Sequence, residues 1–224
     1  MGQSIHKNPT CCVAITNNYM YEQRVQKVVR YLVSVGYHIT IIGRNFPVLR
    51  QEDMDSIHPD LHESVSIDLL SLKFSRGWRF YLEFNWKLWR LLRKQKYDVY
   101  LANDLDTILG LFHGSKRHAK RIFDAHEWFE EVDELQKKPF VRWFWKTIAH
   151  RYIPKFTHCY TVNQWLADTF STAYSKDFAV IRNIPVKRRL EEALTQAIEE
   201  ALPKDFILYQ GVINSGRGLD KVIS

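Results

Sequence analysis

The sequence predicts an α/β protein built on a Rossmann-like, doubly wound parallel sheet of about seven strands. Short apolar runs recur along the chain, continuous rather than alternating, as strands buried on both faces require. Each ends on a polar turn that leads into a segment of helical periodicity. The opening is the clearest instance: Cys11–Thr16, a helix from about Glu22 to Val35 stopped by Gly36, then His38–Gly43, a strand, helix, strand unit whose crossover is right-handed.

In the opening helix Val25, Val28, Val29, Leu32 and Val33 recur at helical spacing. The turn before it, Asn17-Asn18-Tyr19, stands where a dinucleotide fold carries Gly-x-Gly-x-x-Gly, and it holds no glycine. Tight pyrophosphate binding in this half, and with it an NAD-dependent enzyme, is disfavoured. Residues 44–62, with two prolines and a cluster of acids, read as a long loop, and Glu63–Leu69 returns as a third strand.

A narrow polar stripe, Arg79, Glu83, Lys87, Arg90 and Lys94, runs along a helix over Phe74–Lys96, and apolar residues such as Trp78, Phe80, Leu82, Trp86 and Leu88 fill the rest of the wheel. So wide an apolar face exceeds what one sheet covers. Two readings stand. A second helix covers it, Pro139–Tyr152 being the candidate, or the aromatic and basic side chains of 74–96 and 139–152 dip into a lipid interface with cations on the phosphates. Tyr97–Ala102 is the next strand, and Asn103-Asp104-Leu105-Asp106-Thr107 opens a helix with acids at its positive end. Arg121–Ala125, Thr157–Val162 and Phe178–Ile181 complete the strands, with a helix from Gln164 to about Ala173 between the last two.

These elements assign residues 1–187 to one Rossmann-like domain, 188–204 to a charged connector helix, and 205–224 to the opening of a second domain, cut off at Ser224. Apolar residues at 46% and charged residues at 25% are ordinary for a globular protein and exclude global disorder. No apolar run approaches the roughly 18–20 residues of a membrane span, and the N-terminus lacks a signal-peptide core, so a cytoplasmic protein is expected. The three cysteines, Cys11, Cys12 and Cys159, lie in apolar strands at spacings that suit neither a disulfide framework nor zinc. The net charge of +7 favours an anionic partner: a sugar nucleotide, a nucleic acid or an anionic lipid surface.

The candidate for chemistry is His126. The strand Arg121–Ala125 runs out into His126-Glu127, and in an open parallel sheet ligands bind beyond the strand carboxyl ends. Capping of the next helix is the competing role for His126. Asp104 divides in the same way between capping and ligand binding, and the Asn17-Asn18-Tyr19 turn between an ordinary asparagine turn and hydrogen bonds to a sugar.

The order of these pieces resembles the family 4 glycosyltransferases of the GT-B fold, in which two Rossmann-like domains face each other across the active site. The likeness is carried by Arg24–Val29, Ala102–Thr107, Asp124–Glu127, Val180–Pro185, and Ile207–Gly211 through Arg217–Asp220. The resemblance implies the N-terminal half of such a fold and retaining transfer of a sugar from a nucleotide-sugar donor to an acceptor hydroxyl, on a glycan or a lipid-linked acceptor. It implies no metal and no cofactor beyond that co-substrate. His126 matches the family's histidine at this strand end, which contacts the donor sugar. Asn17, Asn18, Tyr19, Asp104, Glu127 and Asn183 are the candidate substrate-binding residues, the Asn17-Asn18-Tyr19 turn replacing the glycine-rich first loop common in the family and expected to face the cleft, and Arg217 is the implied donor-phosphate residue.

This chain departs from the family at Val212, where a first arginine is usual, and the family's glutamate pair would lie beyond Ser224. The 224 residues alone are therefore expected to be inactive. Peripheral contact with the inner face of a membrane accompanies this reading. Two alternatives remain: a sugar-nucleotide epimerase of similar build, for which His126, Glu127 and Asp104 are the available acid/base groups, and a basic nucleic-acid-binding or scaffold module, although no helix-turn-helix or zinc module is present and no nucleic acid is expected.

Overall fold

The computed structural model describes residues 8–45, 63–129 and 138–184, together with Tyr209 and Lys221. Contacts divide the chain into residues 1–183 and residues 184–224. Of the second unit only Ile184, Tyr209 and Lys221 are described, so the expected connector at 188–204, the strand at 205–211 apart from Tyr209, and Arg217 lie outside the described residues.

The first unit is organised by β1 (Thr10–Ala14), β2 (His38–Arg44), β3 (Val65–Leu70), β4 (Val99–Asn103), β5 (Lys120–Ala125), β6 (His158–Thr161) and β7 (Phe178–Val180). These seven strands form one parallel sheet in the order β3-β2-β1-β4-β5-β6-β7. The chain winds outward from β1 to β3, returns to β4 on the other side of β1, and winds the opposite way to β7. The order reverses between β1 and β4, which opens a crevice at their carboxyl ends.

The central strands are apolar on both sides because both faces are covered. On one face Cys11, Val13 and Ile15 pack with Val25 and Val29 of α1 (Gln23–Ser34). On the other, Cys12, Ala14, Tyr100, Ala102 and Phe123 meet α2 (Gly77–Lys94), α3 (Ile108–Gly114), α4 (Pro139–Tyr152) and α5 (Gln164–Tyr174). All three cysteines are buried free thiols, and burial pushes Cys11 and Cys159 up to about 12, so they serve as small core residues.

The wide apolar face of α2 is covered chiefly by α3, which corrects the expectation that Pro139–Tyr152 would do so. The reason is close helix approach at two glycines. A Cβ on Gly110 would stand 2.5 Å from the Asn85 carbonyl oxygen, and one on Gly114 would stand 2.6 Å from Leu92 Cβ. Asn85 locks the contact: its amide nitrogen donates to the carbonyls of Tyr81 (2.8 Å) and Asp106 (2.7 Å), and its amide oxygen accepts from the Gly110 N–H (2.7 Å). The α4 helix reaches α2 through Tyr81 and Trp145, whose rings meet edge to face at 5.3 Å. Trp78, Leu82 and Trp86 on α2 and Phe140, Trp143 and Phe144 on α4 stay exposed.

Candidate active site

The carboxyl ends of β1, β4, β5 and β6 converge on one buried polar network. Its centre is Asp124, a charge interrupting the apolar run of β5 and only 1% exposed. Arg24, in the first turn of α1, brings its guanidinium onto this carboxylate: Nε donates to Oδ2 at 3.1 Å and Nη2 donates to Oδ1. Tyr160, opposite Asp124 in the β5–β6 register, donates its hydroxyl to Oδ2 at 2.7 Å, and its ring lies under the guanidinium at 5.3 Å. Burial, with the adjacent Asp124 charge, holds the Tyr160 hydroxyl well above its ordinary pKa. Removing one partner of a buried ion pair leaves the other charge uncompensated, at a cost of about 3–5 kcal/mol.

His126 stands one residue beyond β5, where the Thr161 hydroxyl donates to the Ala125 carbonyl at 2.8 Å and ties the strand end to β6. The imidazole lies between two carboxylates, with Nδ1 3.3 Å from Asp104 Oδ2 and Nε2 3.3 Å from Asp124 Oδ2. The Asp124 contact is electrostatic without hydrogen-bond alignment, and Nε2 is buried with no hydrogen-bond partner. Burial by itself would lower the His126 pKa. Asp124 and Asp104 outweigh it, although Arg24 opposes them, and the imidazole is held above its ordinary value.

Asp104 occupies the equivalent place one residue beyond β4. Its backbone, at φ 63° and ψ 167°, lies in a region nearly restricted to glycine and costs about 1–3 kcal/mol for a residue with a side chain. Its N–H donates to the Asp124 carbonyl at 2.9 Å, and its own carbonyl accepts from the Thr107 hydroxyl at 3.1 Å. The carboxylate accepts the His126 backbone N–H at 3.1 Å. Burial raises the Asp104 pKa to about 6 against the opposing pull of His126.

The capping expectation for the two acids is overturned. Asp104 makes no side-chain bond to the turn Leu105–Thr107 that follows it, because its carboxylate is turned across to His126. Asp106 is buried and accepts the Thr16 hydroxyl at 2.5 Å across the β1–β4 crevice, while its Oδ1 has no hydrogen-bond partner. Burial, with the nearby Asp104 charge, pushes Asp106 up to about 7.

Beside this network lies an open cavity of about 360 Å³, lined by Tyr21, Glu22, Gln23, Arg24, His126, Val162 and Asn183. That size suits a small molecule. It brings His126 and Asn183 together, and the Asn183 amide oxygen accepts from Lys27 Nζ at 2.9 Å. Glu127 lines a different, water-sized cavity of about 20 Å³ with Asp104, Phe123 and Phe129. In the Asn17-Asn18-Tyr19 turn the expected display of side chains toward a ligand does not occur for two of the three. The Asn18 amide oxygen accepts the Met20 N–H at 2.9 Å to start a 3₁₀ turn, and Tyr19 is 1% exposed, drawn into the core with α1. Asn17 is exposed and donates to Glu22 Oε1 at 2.7 Å.

The roles of Arg24, Asp124, Tyr160, Thr16 and Asp106 were missed by the sequence reading. One signal was available: a carboxylate within a continuous apolar strand requires a buried partner. Among the described residues no group of His, Cys, Asp or Glu could hold a metal ion. No described helix is long and apolar enough to cross a membrane.

Similar folds occur in solved structures of sugar-transferring proteins. UGT2 of Phytolacca americana, complexed with UDP-2-fluoro-glucose and pterostilbene, superposes with a TM-score of 0.56 at 8% identity, covering 88% of this chain and 58% of that one. A UDP-glucosyltransferase of Polygonum tinctorium capable of glucosylating indoxyl gives 0.55 at 7% identity, with coverage of 88% and 57%. A transferase of Siraitia grosvenorii in complex with UDP gives 0.51 at 8%, with coverage of 85% and 54%. This chain spans little more than half the length of each. These likenesses identify the sheet and its helices as one Rossmann-like half of the GT-B architecture. No curated protein matches the sequence. The profile of Glycosyltransferase Family 4 does match, over residues 21–185, and the chain belongs to that family.

Proposed function

We propose that this chain is the acceptor-side part of a glycosyltransferase that moves a sugar from a nucleotide-sugar donor to an acceptor hydroxyl with retention of configuration. The observation that carries the reading is the position of His126, at the end of β5 on the wall of the open cavity and between two carboxylates. The nucleotide and nucleotide-sugar ligands of two of the similar structures support the donor class. In the reaction the bond from the sugar carbon to the diphosphate breaks, a bond to the acceptor oxygen forms on the same face, and the acceptor proton leaves with the diphosphate. As that carbon gains positive character and the leaving oxygens gain negative charge, polar groups fixed at the mouth favour the charge separation; in this reading the His126 ring contacts the donor sugar and Asn183 offers it an amide. Arg217 is assigned to the donor diphosphate through the family likeness, with no metal or further cofactor in this reading.

The acceptor is a glycan or a lipid-linked molecule, and the surface of the helices favours the second. Helices of a parallel sheet run opposite to its strands, so the N-terminal ends of α2 and α4 lie at the edge that carries the cavity. Exposed Trp78, Leu82, Phe140, Trp143 and Phe144 occupy those ends, and Arg79 lies 5.3 Å from the centre of the Trp78 ring. Aromatic groups at headgroup depth, with cations on lipid phosphates, would hold this edge at the anionic inner face of a membrane.

The test is sugar transfer by the full-length protein against a panel of nucleotide sugars, with His126→Ala in parallel. Acceptor-dependent release of nucleotide diphosphate is expected, falling by roughly 10²-fold or more in the variant. Conversion of the free nucleotide sugar to its epimer would replace the transferase reading with the epimerase, and release unaffected by the variant would move the chemistry away from His126.

A further inference from the structure

The placement of Asp104 is unusual in two respects that converge on one residue. A side chain stands where the backbone conformation, φ 63° and ψ 167°, suits glycine, and its carboxylate makes two contacts with His126. Oδ1 accepts the His126 backbone N–H at 3.1 Å, and Oδ2 lies 3.3 Å from the ring Nδ1. Main chain and ring of the same histidine are therefore gripped by one group. The anchor is itself held from both sides, by the bond from its N–H to the Asp124 carbonyl and by the Thr107 hydroxyl on its own carbonyl.

We propose that Asp104 is a positioning residue for His126, holding a proton on Nδ1 and fixing the ring with its Nε2 edge toward Asp124. Asp124 acts on the other nitrogen, Nε2, from 3.3 Å. Its two oxygens already accept Arg24 Nε at 3.1 Å, Arg24 Nη2, and the Tyr160 hydroxyl at 2.7 Å. Nε2 is buried with no hydrogen-bond partner, 3.3 Å from Asp124 Oδ2. The charged and titratable groups around the ring are Asp104 from just beyond β4, Asp124 on β5, Arg24 from α1, Tyr160 from β6 and Glu127 next in sequence, acting on Asp104. In this role Asp104 acts through His126, unlike Asn183 on the cavity wall. The consequence for turnover rests on the proposed function of His126, while the positioning does not.

The experiment separates the two. In the 224-residue chain, long-range ¹H–¹⁵N spectra follow the His126 ring through a pH titration, with His126→Gln to assign its signals. Asp104→Gly is informative because glycine accepts this backbone conformation without strain while removing the carboxylate. The native chain should show Nδ1 carrying the proton and a raised midpoint. In Asp104→Gly the midpoint should fall by about one pH unit or more, with a mixture of tautomers, although the melting temperature holds or rises. Asp104→Asn, which keeps an acceptor for the His126 N–H and loses the charge, should fall in between and serves as the measured variant if the glycine form does not fold. An unchanged His126 midpoint and tautomer in a folded variant of either kind would overturn the proposal. In the full-length enzyme, Asp104→Gly should lower kcat with little change in KM. If His126→Ala leaves transfer intact while the spectra behave as stated, the positioning stands and the functional reading of His126 fails.

Discussion

Replacing Asp106 by asparagine should stabilise the protein, and by an amount that depends on pH. The carboxyl is 7% exposed, has one oxygen without a hydrogen-bond partner, and holds the Thr16 hydroxyl on the other at 2.5 Å. Its pKa is pushed from 3.8 to about 7, first by burial and then by the charge of Asp104. Because the folded-state value is raised, the folded protein keeps a proton that the unfolded chain releases. Stability is therefore complete below about pH 4, falls as pH climbs from there to about 7, and carries the full cost above. A displacement of about three pH units, at roughly 1.4 kcal/mol each, sets that cost at about 4 kcal/mol. Asparagine still accepts the Thr16 hydroxyl and carries no charge. Urea unfolding of the native protein and Asp106→Asn, at pH 5 and at pH 8, reads the difference directly from the midpoints. The advantage of the variant should grow by roughly 2–3 kcal/mol between the two conditions. A variant no more stable at pH 8 than at pH 5, relative to the native chain, would mean that the buried carboxylate is compensated, and would refute the argument. Below about pH 7 a protonated Asp106 keeps one negative charge away from a mouth proposed to receive an anionic donor.

Two other predictions follow from packing and from the exposed helices. Gly110→Ala places a methyl 2.5 Å from the Asn85 carbonyl oxygen and 3.0 Å from Asn85 Cα, backbone atoms that cannot rotate away, so thermal unfolding should show a loss of about 1–3 kcal/mol; an unchanged melting temperature would mean that α2 and α3 separate at little cost. Flotation with vesicles should retain the native chain when they contain phosphatidylglycerol and much less so with phosphatidylcholine alone, and Trp78→Ser combined with Trp143→Ser should reduce the bound fraction several-fold. Failure to bind either vesicle would remove the membrane-bound acceptor from the proposal and leave the transfer reaction untouched.

What the sequence determined by itself was the part of the structure written in local pattern. Continuous apolar runs such as Cys11–Thr16 and Arg121–Ala125 announce strands covered on both faces, parallel strands require crossovers, and the alternation with helices places His126 at a strand end where parallel sheets bind ligands. The charge on Asp124 was visible, but its partner was not. Arg24 is 100 residues away, and Thr16 meets Asp106 across 90. No periodicity encodes such a pairing, because it arises only when the reversal of strand order brings β1 against β4 and β5 beside it. The cover of α2 was equally hidden, since Gly110 and Gly114 look like weak points in a short helix until another backbone is seen against them. The sequence pattern also presented Asn18 and Tyr19 as candidates for a ligand, whereas the fold turns one into its own 3₁₀ turn and the other into the core. Asp104 is the sharpest case: its residue type suggested a helix cap, and only the positive φ imposed by the tertiary structure swings its carboxylate across to His126.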